Sequence, residues 1–237
     1  MPQPGLLVVV LIGLYLIDCL TLLGPGEALF VFEKSAVRLD FGLGGYVVRG
    51  RVPAMLNPLT PSLLVFRSAP LMASGVVSIA LHMHPLRRCH YWVLTTWPVL
   101  LIHAGLLFGA VPYFLATGRY VALATSVGFA FVFVALLLCV GWRLRADLGL
   151  SRWQYGALAF QSVVCLPMSM NLLRKLALST PPRYTALDLF SRLRADQREH
   201  AAGELRFALE AQTLASTDSA EIARLEALQK AIDGKLV

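Results

Sequence analysis

Two ionisable side chains, Asp18 and His103, sit inside otherwise apolar runs of this 237-residue chain. A carboxylate or an imidazole within such a run is costly and marks either a polar contact between helices or a step in a proton or substrate path. An Asp18–His103 hydrogen bond between neighbouring helices is expected to lower the cost of both. His82, His84 and His90, next to Cys89, form the other chemistry-bearing group. His-x-His can take a divalent ion, but no carboxylate and no second paired motif accompanies it, so no metal is expected. His90 and His103 are thirteen residues apart, which on one continuous helix places them well over a right angle apart, unsuited to holding a haem together. Ser74 and Ser78 lack the Gly-x-Ser-x-Gly setting of a nucleophile elbow. No closely spaced Asp/Glu pair lies near an apolar edge, and Asp40 and Asp147 read as solvated loop charges. Gly42, Gly44 and Gly45 fit a hairpin turn; no helix follows them as a dinucleotide fingerprint requires. The expectation is no catalytic residue and no cofactor, with the balance against an enzyme. Gln161 and Asn171, in the last apolar run, read as hydrogen-bonding groups between helices.

The elements that would position Asp18 and His103 are long and apolar. Tyr91 to Ala116 carries one ionisable side chain, His103, and Tyr120 to Val140 carries none, with Thr117-Gly118-Arg119 as the turn between them. Each exceeds the ~20 apolar residues that cross a bilayer. Tyr91, Trp92, Tyr113, Tyr120 and Trp142 mark the edges, where interfacial aromatic rings are expected. A soluble helical hairpin of this length would show a polar face. Only 15% of the residues are charged, against about 25% in a soluble domain.

The first apolar run, Gly5 to Leu23, has no basic region before it and is expected to stay as a membrane helix rather than to be cleaved. Its neighbours alternate: Ala28 to Glu33, Ala36 to Phe41 and Tyr46 to Arg51 read as strands of a small antiparallel β unit. Pro53, Pro58 and Pro61 end it. Ser62 to Leu81 is interrupted by Arg67 and Pro70 and reads as an embedded segment rather than a span. Tyr155 to Leu173 is the remaining apolar run. The expected fold is a mainly α membrane protein with four transmembrane helices, or five if Ser62–Leu81 crosses, a small antiparallel β unit after the first helix, and an amphipathic two-helix tail. The corresponding regions are 1–24, 25–61, 62–90, 91–178 and 179–237.

In the tail, Thr185 with Asp188 and Asp218 with Glu221 are spaced as helix caps. Leu187, Phe190, Leu205, Leu209 and Leu214 form one apolar face, and Ile222, Leu225, Leu228 and Ile232 another. Two helices this short carry little core of their own and need a docking surface. The net charge of +7 is concentrated before Arg174, in Arg87, Arg88, Arg143, Arg145, Arg152 and their neighbours. That pattern suits loops retained on the cytoplasmic side and contact with anionic lipid, and not nucleic acid, which needs a basic stripe on a soluble face. Cys19, Cys139 and Cys165 fall in apolar runs with no pairing pattern. The expected partners are the lipid bilayer and either a protein partner or further copies of the chain. The leading expectation is a structural or accessory subunit in a cell or inner membrane; a small oligomeric transporter using Asp18 and His103 is the alternative.

Overall fold

The computed structural model describes residues 4–24, 27–33, 36–42, 51–69, 79–181, 184–185, 188–189, 193, 195–215 and 217–236. It is mostly helical, with small antiparallel sheets. The chain forms two compact units: residues 1–19, 57–64 and 85–181, and residues 20–56, 65–84 and 182–237.

The first unit is helical. Helix α1 (Pro4–Asp18) is followed, after the intervening segments, by α2 (Ile79–Leu94, of which this unit holds residues 85–94), α3 (Trp97–Ala104), a π-helical stretch (Gly105–Ala110), α4 (Val111–Ala116) and α5 (Tyr120–Asp147). α6 (Arg152–Val164), α7 (Leu166–Ser169) and α8 (Leu172–Leu178) complete it. Among the described residues two apolar stretches are long enough to cross a membrane, Trp97–Ala116 and Tyr120–Asp147. The expectation of four or five such helices is therefore not supported, and each shortfall has a local cause.

α1 has only fifteen residues, about 22 Å at 1.5 Å per residue, against the ~30 Å of hydrocarbon. It ends at Asp18, whose carboxylate is engaged by Lys175 and Asn171, and Leu20–Leu23 leaves as a strand instead of extending the helix. Within Ser62–Leu81, Phe66–Arg67 is a strand and Ile79 opens α2; residues 70–78 lie outside the described residues. Tyr155–Leu173 is divided among α6, α7 and α8. Cys165 is extended (φ −125°, ψ 93°), and Pro167, which has no N–H to donate, occupies the first turn of α7. The chain then doubles back: Tyr155 on α6 and Leu173 and Leu176 on α8 all come up to Gly141 of α5. This run is a reversing helical pair.

Tyr91–Ala116 is also not one helix. Pro98 stands at the start of α3, where its ring excludes the hydrogen bond to the Leu94 carbonyl. The hydroxyls of Thr95 and Thr96 donate to the carbonyls of Trp92 and Val93 (2.6 and 2.7 Å) and close α2. His90 and His103 thus sit on different helices, and the single-helix angle between them does not apply. Pro112 has a milder consequence: the helix continues through it to Ala116, and the backbone before it widens into the π stretch, as helices do around a missing donor. The second apolar helix outruns its expected end at Val140, reaching Asp147, so Trp142, Arg143, Arg145 and Asp147 ride its last turns rather than a loop.

Both arms of the long hairpin are stopped by glycine. Gly118 (φ +66°) and Gly149 (φ +70°) take the left-handed conformation. Arg119 N–H then reaches the Phe114 carbonyl (3.0 Å), and Leu150 N–H reaches the Arg145 carbonyl (3.0 Å), the six-to-one bond of a helix C-terminus. Ser151 and Gln154 exchange side-chain and backbone bonds to start α6.

The second unit holds the strands and the tail helices. β1 (Leu20–Leu23) pairs antiparallel with β4 (Val52–Met55). β2 (Leu29–Glu33) is the centre of a three-stranded sheet, between β3 (Ala36–Asp40) and β5 (Phe66–Arg67). Val37, Leu39 and Phe41 are buried while Arg38 and Asp40 are exposed, the alternation of a strand with one wet face. Phe30, Phe32 and Phe66 meet with ring centroids 5.5–5.9 Å apart. Arg67 donates to Thr21 Oγ1 (3.0 Å) and the Leu22 carbonyl (3.2 Å) and faces Glu27 (3.8 Å). The strand expected at Tyr46–Arg51 lies almost wholly outside the described residues.

In the tail, the Thr185–Asp188 pair closes reciprocally, Asp188 N–H to Thr185 Oγ1 (3.2 Å) and Thr185 N–H to Asp188 Oδ2 (2.9 Å). The long helices are α9 (Ala195–Ala215) and α10 (Ser219–Leu236), and Asp218 Oδ1 accepts from Ala220 N–H at the turn (3.0 Å). Leu205, Leu209 and Leu225 are buried, but Leu214, expected on the same face, is 88% exposed. Leu187 and Phe190 lie outside the described residues, and the side chains of Leu228 and Ile232 are likewise not described.

Candidate functional site

Asp18 and His103 both belong to the helical unit, but each has a different partner from the one expected. Asp18 is 8% exposed at the end of α1. Its Oδ1 accepts from Lys175 Nζ, and its Oδ2 accepts from Asn171 Nδ2 (3.1 Å). His103 is fully buried, and its Nε2 lies 2.8 Å from Ser169 Oγ. No Asp18–His103 hydrogen bond forms. The break at Cys165 explains this: the short helices α7 and α8 carry Ser169 and Asn171 into the interior, and each takes one of the two groups.

Asn171 occupies the N-cap position of α8, yet its side chain does not cap the helix. Its amide donates to Asp18 and to Cys19 Sγ (3.3 Å), and its carbonyl oxygen accepts from Arg174 Nη1 (3.3 Å). Forgoing the cap gives up about 1 kcal/mol, which the bonds to a buried carboxylate and a buried guanidinium offset.

Arg174 is the least expected member. It is fully buried, and its Nη2 donates to the backbone carbonyls of Asn57 and Thr60. Desolvation weighs against its charged form and pulls its pKa below the ordinary arginine value. Backbone carbonyls supply the negative ends that hold it in place of a carboxylate. Tyr15 Oη donates to the carbonyl of Pro58 (2.7 Å) in the same segment. Residues 57–64, which carry Pro58 and Pro61 and only turn hydrogen bonds (Thr60 N–H to the Asn57 carbonyl, 3.3 Å; Leu63 N–H to the Thr60 carbonyl, 3.0 Å), are thus fastened to the helices by Arg174 and Tyr15.

The hydroxyl of Ser169 has one hydrogen, which goes to the Leu166 carbonyl (2.6 Å). It must therefore accept from His103, so the proton of the neutral imidazole is on Nε2. Nδ1 is then a bare acceptor, buried and without a partner among the described residues.

Of the other sequence candidates, His90 is buried on α2, and burial lowers its pKa while the Leu64 backbone partly opposes the shift. His82 and His84 lie on α2 with side chains outside the described set. Among the described residues no three His, Cys, Asp or Glu side chains are grouped to hold a metal ion. Gln161 is exposed, so it does not join the interior network as Asn171 does. Lys175 and Arg174 read in the sequence only as the cations that end an apolar run. The pairing of Lys175 with Asp18 had one signal there, opposite charges at two separate apolar runs, and the seating of Arg174 on loop carbonyls had none.

A second concave feature lies where α2 meets the last turns of α5, a cleft of about 410 Å³ with Arg88, Trp92, Cys139, Val140, Arg143 and Asp147 on its walls. Arg145 stacks over Trp142 beside it, 4.2 Å from the ring centroid.

Comparison with protein-family models, curated sequences and solved structures gives no match.

Proposed function

We propose that this chain is a multi-pass integral membrane protein acting as a non-catalytic scaffold or accessory subunit. Its helical unit is the anchor, and its β unit and helical tail are the parts offered to a partner. The observation that carries the scaffold reading is the state of the buried ions. Asp18 is held by Lys175 and Asn171, and Arg174 by two loop carbonyls, so these charges fix elements in place. Such mutual satisfaction is how polar groups serve as contacts between helices in lipid.

The membrane part of the proposal draws on exposed apolar surface. Only 22% of the most apolar window of each long helix is buried, and Val121, Phe129, Val132 and Leu136 are 48–84% exposed. The core helix of a water-soluble protein covers such residues, whereas hydrocarbon solvates them. Trp97–Ala116 and Tyr120–Asp147 would cross as a hairpin, with Arg119 on one side and the arginines of α2 and α5 on the other, cytoplasmic side. The finer count of four spans would need Tyr155–Leu173 to cross as well, which would put the tail on the far side. Because that run doubles back, the tail is expected on the side of the arginines. A reporter fused after Lys235 tests this: cytoplasmic activity fits the reversing pair, and periplasmic or luminal activity restores four spans. Mass determination in mild detergent tests the scaffold role. A single copy with a stoichiometric foreign chain fits, and a closed homo-oligomer does not.

The transporter reading has one observation of its own, the unpartnered Nδ1 of His103 next to a π-helical stretch, a feature frequent at functional sites. His103→Leu separates the readings. Intact assembly with a lost transport signal across reconstituted vesicles favours transport, and lost assembly favours the structural contact.

A further inference from the structure

We propose that the cleft between α2 and the last turns of α5 binds one anionic phospholipid, its phosphodiester held by Arg88 and Arg143 and an acyl chain laid against Trp92, Cys139 and Val140. The site rests on the membrane reading above and specifies one lipid class for it. Three features of the cleft fit that ligand and fit a water-soluble anion poorly.

The first is polarity by position. Arg143 and Asp147 are one helical turn apart at the end of α5, and Cys139 and Val140 lie one turn deeper along the apolar helix. Cations therefore stand at the rim and apolar walls run inward, the order of groups in a phospholipid. The second is charge. Arg88 and Arg143 are exposed and make no ion pair among the described residues. With Asp147 the walls carry a net charge of +1, complementary to one phosphodiester. Asp147 beside the two arginines lowers the positive charge of the rim, which weakens the hold on any anionic headgroup and disfavours multiply charged ones most. The third is surroundings. Trp92 and Trp142 are exposed at this end of the hairpin, as rings at the headgroup level are, and Arg145 stacked on Trp142 widens the basic rim.

The test reconstitutes the full-length chain in nanodiscs of phosphatidylglycerol, phosphatidylethanolamine and phosphatidylcholine, then counts retained lipid by native mass spectrometry. One phosphatidylglycerol per chain should survive release in preference to the other two. R88Q/R143Q should lower that retention by about tenfold or more, since each removed cation weakens lipid attraction several-fold. R119Q, at the opposite end of the hairpin, should leave it unchanged, and D147N should raise it. If the double variant does not incorporate, D147N alone carries the test through its opposite sign. Equal retention of phosphatidylethanolamine or phosphatidylcholine, no effect of R88Q/R143Q or D147N, or displacement of the lipid by inorganic phosphate overturns the proposal. A wild-type chain that never enters the discs overturns the membrane reading instead, a distinct failure.

Discussion

At the scale of single residues, Asp18 and Lys175 form the pair whose loss should be felt most. Asp18→Leu leaves the Lys175 ammonium, whose side chain is 22% exposed, without its counter-charge and the buried Asn171 amide without its acceptor, at a cost of about 1–3 kcal/mol. The double variant D18L/K175L, which removes both charges and keeps apolar bulk, should recover most of that loss. Detergent-phase unfolding of the four members of this cycle measures it, and additive losses would show that the two residues do not interact. Arg174→Gln should act locally. The carbonyls of Asn57 and Thr60 lose their side-chain donor and keep only their turn bonds, so amide exchange and proteolysis at residues 57–64 should rise before the helices open. His90 adds a pH dependence. Its folded pKa is below the ordinary 6.5 because the ring is buried, so below that pH the unfolded chain binds a proton that the folded chain resists. Stability should therefore fall as pH drops through about 6.5, and H90Q should flatten the curve between pH 7 and 5.5. At this scale the sequence exposed Asp18 and His103 plainly, because an ion inside an apolar run stands out. Their partners were hidden, since Ser169 and Asn171 reach them only through the reversal at Cys165, which leaves no periodic signature.

Among elements, close approach decides more than length. A Cβ on Gly141 would come within 2.8 Å of Leu176 Cδ1 and 3.3 Å of Tyr155 Cε2, so α5 meets α6 and α8 through a missing side chain. Gly141→Val should force those helices apart at a cost of about 1–3 kcal/mol, and Leu176→Ala in the same chain should restore part of it, read as a shift in unfolding midpoint. Gly141→Ala should cost less, because the obstructing atom is the end of a flexible side chain. Gly42 is the contrasting case. It has φ +87°, and an added Cβ would meet the Pro53 carbonyl oxygen at 2.8 Å, so Gly42→Ala is both strained and blocked by backbone. The alternating spelling of Ala36–Phe41 made that strand legible, and the apolar length of Tyr120–Asp147 made its helix legible. Leu20–Leu23 was not, because a short apolar strand after an apolar helix has no period that separates the two. Pro98, Pro112 and Pro167 stand plainly in the sequence, yet Tyr91–Ala116 reads there as one helix straight through the first two. Whether each would kink, widen or reverse the helix depends on the contacts around it.

For the whole molecule, the account turns on which solvent meets Val121, Phe129, Val132 and Leu136. If lipid meets them, the hairpin from Trp97 to Asp147 is an anchor, the arginines at its open end face a membrane surface, and the paired ions inside the helical unit are contacts that hold it together. If water meets them, that apolar area would drive self-association, since monomeric soluble proteins rarely leave so much uncovered. Extraction of cell membranes with alkaline carbonate, followed by ultracentrifugation of the full-length chain, decides between these most directly. The account predicts that the protein stays in the pellet and is released only by detergent. Recovery from the supernatant as a folded monomer, without detergent, would contradict it.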